Sequence, residues 1–163
     1  MIPDRERLRT CLSADAWVDL LAGRDFASLD ELSEAGYGAA STLRNEDVEQ
    51  ALAAHPRIGE RRQGSDAEAR LSASEQSASA TEDLAEAALM DRANADYEAR
   101  FRRVFLIRAA GRSRGEILRE LERRLANDDA TELRETAEQL REIAVLRLRT
   151  VFADDFSHPQ ETS

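Results

Sequence analysis

Lysine is absent from this 163-residue chain. Its 23 basic side chains are all arginine and stand against 33 acidic ones, for a net charge of −10. That balance argues against nucleic acid as a partner, because phosphate binding requires clustered positive charge. An anionic membrane surface is disfavoured for the same reason. A single cysteine, Cys11, leaves no disulfide framework within the chain. Two His and one Cys are too few for an ordinary zinc site, so a metal is disfavoured. The seven Gly fall in neither a GxGxxG nor a P-loop pattern, so no nucleotide cradle is present. No apolar run is longer than that of residues 104–107, far short of the roughly 18 residues a membrane span requires. The first residues, Met-Ile-Pro-Asp-Arg-Glu-Arg, are charged from the start, unlike a secretory signal. The cytoplasm is the expected compartment.

What remains is helix-forming. Hydrophobic residues make up 42% and charged ones 34%, enough apolar material for one core. A single domain is expected over residues 1–152, followed by a polar tail over 153–163. Proline occurs only at positions 3, 56 and 159, and strand alternation is nowhere sustained. The chain therefore reads as all-α, one compact multi-helix domain. A helix is expected over 14–21, carrying Trp17, Val18, Leu20 and Leu21. Ser28 begins another, and Asn45 caps a third that runs to Ala54 before Pro56 stops it. Residues 55–80 show no apolar periodicity and form a long connection, apart from a short helix starting at Ser72 or Ser74. A long helix is expected over 81–110, with Ala93, Tyr97, Phe101 and Phe105 at i+4 and Gly111 closing it. Ser113 and Glu116 make a capping box for the next, whose inner face is Ile117, Leu118, Leu121 and Leu125. A last helix covers 130–152.

Four places hold residues suited to chemistry. His55 sits where a helix ends and Pro56 restricts the backbone, and imidazole gives or takes a proton near neutral pH. Ser72 and Glu75 have capping-box spacing, but Gln76 beside them is not explained by a cap, and the pair of carboxylate and carboxamide suits a ligand rich in amide groups. On the last helix, Leu133, Ala137, Leu140, Ala144, Leu148 and Val151 form one face, and Arg147 falls within it. A guanidinium buried there requires an anionic partner, either internal or a ligand, unless it snorkels. Finally, the four apolar residues at 104–107 cannot all face one side of a helix, so part of that stretch must meet a second buried surface.

Together these motifs resemble the 2-oxo-4-hydroxy-4-carboxy-5-ureidoimidazoline (OHCU) decarboxylase family, which forms (S)-allantoin in uric acid breakdown. The resemblance rests on His55-Pro56-Arg57-Ile58-Gly59-Glu60, then Ser72-x-x-Glu75-Gln76, then Asn94-x-x-Tyr97-x-x-x-Phe101. It continues through Val104-Phe105-Leu106-Ile107-Arg108-Ala109-Ala110-Gly111-Arg112 to Ile143-x-x-Leu146-Arg147-Leu148. The ordered set spans about residues 15–152.

The resemblance implies an all-helical, cofactor-free and commonly dimeric decarboxylase with a small-molecule substrate. It implies His55 as the catalytic proton donor, with Pro56 shaping the pocket beside it. Ser72, Glu75 and Gln76 match a ligand-binding segment; for the chemistry we expect Glu75 also to take a proton from the substrate hydroxyl, a role it could exchange in part with Arg147. Phe105, Leu106, Ile107, Arg108 and Ala109 match a second segment that contributes backbone and apolar contacts. Arg147 matches an arginine that binds a carboxylate or ureide. The long connection after the His-Pro turn becomes an active-site loop. Two departures stand out: the family often has Phe-Gly where this chain has Phe101-Arg102, and Gly or Ala soon after Glu-Gln where this chain has Ser77-Ala78-Ser79-Ala80. The competing expectation is a catalytically inactive helical interaction module of the same fold, docking a partner helix in an apolar groove. Such a groove needs neither the His-Pro turn nor Arg147. A helical transcription regulator lacks its basic recognition helix here.

Overall fold

Four helices of this chain begin where a short polar side chain, Asp4, Ser28, Ser113 or Asp128, caps free backbone donors. The computed structural model describes residues 1–58 and 84–157. Among these it contains eight helices and no strand: α1 Arg5–Cys11, α2 Asp15–Leu21, α3 Leu29–Ala40, α4 Asn45–Ala53, α5 Leu84–Phe101, α6 Arg114–Leu125, α7 Asp129–Val151 and α8 Ala153–Ser157. The all-α expectation holds. No described helix is long and apolar enough to cross a membrane. The long connection, with its short helix at Ser72 or Ser74, lies outside the described residues. The chain divides into two units, Met1–Ala51 with Leu140–Ser163, and Leu52–Gln139.

The first unit is built on apolar side chains, many of them from its short helices. Leu8, Cys11, Leu12, Trp17, Val18, Leu21 and Leu32 are all buried. Helix α1 escaped the sequence reading, although Asp4 marks its start by accepting from the N–H groups of Glu6 and Arg7 at 2.9 and 3.1 Å. The Trp17 Nε1–H donates to the Gly36 carbonyl at 2.9 Å, and a Cβ at Gly36 would overlap the Leu148 side chain. That close approach explains a glycine in the middle of α3. Ser28 caps α3 as expected, accepting from the Glu31 N–H. Asn45 does not cap α4: the Val48 N–H reaches the Arg44 carbonyl at 3.1 Å, which makes Arg44 the cap, while Asp47 accepts from the Arg44 N–H at 2.9 Å.

The polar tail expected over 153–163 is ordered in its described part. Residues 153–157 form α8, and Asp155 receives two hydrogen bonds from Arg7, at 3.0 and 2.6 Å. Arg7 also donates to the Val151 carbonyl and lies 4.3 Å over the Phe152 ring. The hydrogen bond from Arg7 holds the Asp155 carboxyl below its usual range.

The second unit has an aromatic core. Ile58, Met90, Ala93, Tyr97, Phe101, Phe105, Ile107, Ala109, Ile117 and Leu121 form one buried cluster, with Leu118 and Leu125 packed against it. The rings of Phe101 and Phe105 lie 4.8 and 5.2 Å from that of Tyr97. The capping box at Ser113 and Glu116 is present and opens α6.

The expected helix over 81–110 is the main correction in this unit. Helix α5 stops at Phe101, and the next residue, Arg102, takes the left-handed conformation with φ 56°. Arg103 then caps the end by donating to the Phe101 carbonyl at 3.2 Å. Beyond it, residues 104–109 are non-helical. Phe105, Ile107 and Ala109 enter the apolar cluster while Leu106 and Arg108 do not, which is the alternation of an extended chain. A two-residue period explains how Phe105, Leu106 and Ile107 are all buried, where a helix would have exposed one of them. Gly111 has φ 78° but serves the turn closed by the Arg112 N–H on the Ala109 carbonyl, at 3.0 Å, rather than ending a helix.

Arg102 stands where a glycine costs nothing sterically, and a side chain in that conformation costs roughly 1–2 kcal/mol. Arg102→Gly is therefore expected to stabilise the protein by about 0.5–1 kcal/mol, after the greater unfolded-state entropy of glycine is subtracted. Urea unfolding measures this. A loss of stability would mean that the arginine side chain contributes more than the backbone strain removes.

Candidate functional site

Helix α4 delivers His55. The last helical residue is Ala53, and the His55 N–H still bonds the Leu52 carbonyl at 3.0 Å, so the imidazole is borne on the frayed final turn. His55 is 7% exposed, which separates it from a surface histidine. Pro56 removes a donor and fixes φ immediately after it.

The residues that follow are tied to α5. Arg57 makes a bidentate pair with Glu98 at 2.7 and 2.6 Å. The Asn94 side chain donates to the Ile58 carbonyl at 3.1 Å, and Ile58 itself joins the aromatic cluster. Arg57, Ile58 and Asn94 thus tie the residues after His55 to α5, and Tyr97 and Phe101 share the apolar cluster that Ile58 enters.

The 105–109 segment is held by side chains on one edge. The Leu106 carbonyl accepts from Arg124 Nη1 at 2.7 Å, and the Arg108 N–H donates to Gln139 Oε1 at 2.9 Å. Peptide groups two residues apart in an extended chain point the same way, so these two bonds share an edge. Among the described residues, no partner is seen for the peptide groups of Phe105 and Ile107, which face the other edge. Buried backbone groups are rarely left without partners, and where they are, a ligand is a physical reason.

Sequence reasoning missed the buried network behind this segment. Arg124 is 1% exposed and donates to Glu132 Oε1 from Nε at 2.9 Å and from Nη2 at 2.5 Å. Its Nη2 also reaches Thr136 Oγ1 at 3.0 Å, and its guanidinium lies 4.7 Å over the Phe105 ring. The Tyr97 hydroxyl donates to Glu132 Oε1, and Asn127 donates to Oε2 at 2.9 Å. Burial, then the hydrogen bond to Glu132, pushes the Tyr97 phenol well above its ordinary range. A signal was available: Arg124 follows Ile117 and Leu121 at helical spacing, the same placement on an apolar stripe that singled out Arg147.

Arg147 belongs to the first unit and is 1% exposed, as its position on the stripe required. Buried residues on α7 run through Glu132, Thr136, Leu140, Ile143, Ala144, Arg147 and Leu148, while Leu133, Ala137 and Val151 are only half-buried. One Arg147 nitrogen lies 3.4 Å from the Cys11 carbonyl at the end of α1. A cation there complements the open carbonyls of a helix C-terminus. Ser72, Glu75 and Gln76 lie outside the described residues. Among the described residues, no three His, Cys, Asp or Glu side chains converge as metal ligands would.

Comparison with known proteins adds to this geometry. The sequence matches the family model described as OHCU decarboxylase over residues 4–149. It is 31% identical over 136 residues to the 2-oxo-4-hydroxy-4-carboxy-5-ureidoimidazoline decarboxylase of Haloferax volcanii, covering 82% of this chain and 79% of that protein. The fold is similar to a crystal structure of OHCU decarboxylase in the presence of (S)-allantoin, with a TM-score of 0.80 at 24% identity, covering 93% of this chain and 100% of that one. It is also similar to a crystal structure of (S)-allantoin synthase, with a TM-score of 0.61 at 17% identity, covering 90% of this chain and 49% of that longer one.

Proposed function

This chain belongs to the OHCU decarboxylase family, and from that premise we propose that it decarboxylates OHCU to (S)-allantoin in uric acid degradation. The observation that carries the reading within this family is His55 itself, a buried imidazole on a turn anchored to α5 by the Arg57–Glu98 pair and by the Asn94 bond to the Ile58 carbonyl.

The chemistry suits such a residue. The C–CO2 bond of the substrate breaks, and its electron pair passes into an adjacent carbonyl or C=N group of the ring. The substrate thus supplies its own electron sink. His55 delivers a proton to one face of the resulting carbanion and so sets the stereochemistry. The protein holds the ring and stabilises developing charge. In this proposal Ser72, Glu75 and Gln76 bind the hydroxyl, ureido and ring amide groups, and Glu75 accepts the hydroxyl proton. Pro56, Phe105, Leu106, Ile107, Arg108 and Ala109 shape the walls, and Arg147 takes an anionic or carbonyl end in bidentate fashion. No cofactor enters. The enzyme works as a homodimer in the cytoplasm, and residues 1–152 form the catalytic domain.

The test starts from urate with purified urate oxidase and hydroxyisourate hydrolase. Adding this protein is expected to generate optical activity, since uncatalysed decay gives racemic allantoin. An optically silent mixture would favour the inactive interaction module. In the same assay Arg147→Leu is expected to raise KM sharply with little change in melting temperature. A large drop in melting temperature would instead assign Arg147 to an internal pair.

A further inference from the structure

A buried ion pair is a poor device for stability alone, because desolvation offsets its attraction and apolar residues of similar volume do as well. The pair between Arg124 and Glu132 is nevertheless almost completely buried, with side-chain exposures of 2% and 0%. Its geometry suggests what else it does. The planar fork of Arg124 uses Nε and Nη2 on the carboxylate and leaves Nη1 for the Leu106 carbonyl, 2.7 Å away. The face of the same guanidinium lies over the Phe105 ring. Glu132 is fixed in turn by Tyr97 and Asn127, so the fork has one orientation. Two residues further along the segment, Gln139 holds the Arg108 N–H at 2.9 Å. Both contacts grip the same edge of the chain, and neither side chain belongs to the segment.

We propose that Arg124 and Gln139 are positioning residues that set the register of the 105–109 segment, so that its opposite peptide edge meets substrate without first having to order. This inference rests on the reading of residues 105–109 as substrate-contacting. The apolar cluster holds the side chains of Phe105, Ile107 and Ala109, but with no strand beside the segment among the described residues its peptide edge is fixed by these two clamps. A shift of about 1 Å at a binding edge costs on the order of 10- to 100-fold in function.

Two single variants of the full chain test this. Arg124→Lys keeps the charge opposite Glu132 but has no fork to reach Leu106. Gln139→Leu removes the acceptor for the Arg108 N–H on a half-buried site and keeps the side chain's bulk. Each is expected to melt within a few degrees of the parent, raise KM for OHCU on the order of 10- to 100-fold, and change kcat far less. The pH profile of kcat should not move, because His55 is untouched. Folded variants with parental KM would overturn the proposal, and if Arg124→Lys fails to fold, Gln139→Leu decides it. Hydrogen exchange of the parent with and without (S)-allantoin separates the two levels. Slowed exchange over residues 104–110 with parental KM in the variants would reject the clamps alone. No slowing would reject the segment as a substrate contact, and the clamps' role with it.

Discussion

His55→Asn is expected to give a folded protein whose allantoin is racemic and whose kcat is lower by about 10²- to 10⁴-fold, the range for loss of a positioned proton donor. Asn matches the imidazole in reach and polarity but does not exchange a proton near neutral pH. The turn that carries it is anchored independently of the side chain, through the bidentate Arg57–Glu98 pair and the Asn94 bond to the Ile58 carbonyl. A loss of activity would thus report on the proton rather than on the fold. Optical rotation, initial rate and far-UV circular dichroism together make the measurement. Retained (S)-selectivity at the parental rate would remove His55 from the mechanism.

The second large effect is on stability. Glu132→Leu is expected to cost about 3–5 kcal/mol, because it strands the Arg124 guanidinium in an apolar interior. The same change takes acceptors from Tyr97 and Asn127. Adding Arg124→Met should recover much of the loss, since the double variant removes both charges at nearly constant volume. Urea unfolding of the parent, the single variants and the double variant closes the cycle. A cost below about 1 kcal/mol for Glu132→Leu alone would show that water or another carboxylate reaches Arg124; Glu135, 4.0 Å from its Nε, is the nearest such group. Such a stability cycle does not bear on KM, which is why the positioning role needs the milder variants.

The helical class, the capping box at Ser113, the Ser28 cap and the burial of Arg147 were legible from periodicity and side-chain chemistry. The 104–109 segment was not, because Phe101 and Phe105 continue the i+4 spacing of Ala93 and Tyr97. Helical and extended geometry place those two rings in one cluster equally well. The deciding signal was local: Arg102 and Arg103 interrupt the apolar pattern, and alternate membership of the aromatic cluster begins only after them. Helix α1 was passed over because its polar face dominates a seven-residue stretch, although Leu8 and Cys11 are buried. The Arg124–Glu132 pair was missed for a different reason. The residues are eight apart on consecutive helices, and no local pattern shows that an arginine on one stripe will meet a glutamate on another. The Ser72–Gln76 motif was read from resemblance and chemistry, and it falls outside the residues the structure describes.

The lone indole of the sequence, Trp17, is fully buried in the first unit, and the second unit contains none. Its emission is therefore a built-in gauge of one half of the molecule. Ultraviolet ellipticity, by contrast, sums over helices in both. Recorded side by side during denaturation, the two signals reveal whether the halves melt in concert or in succession.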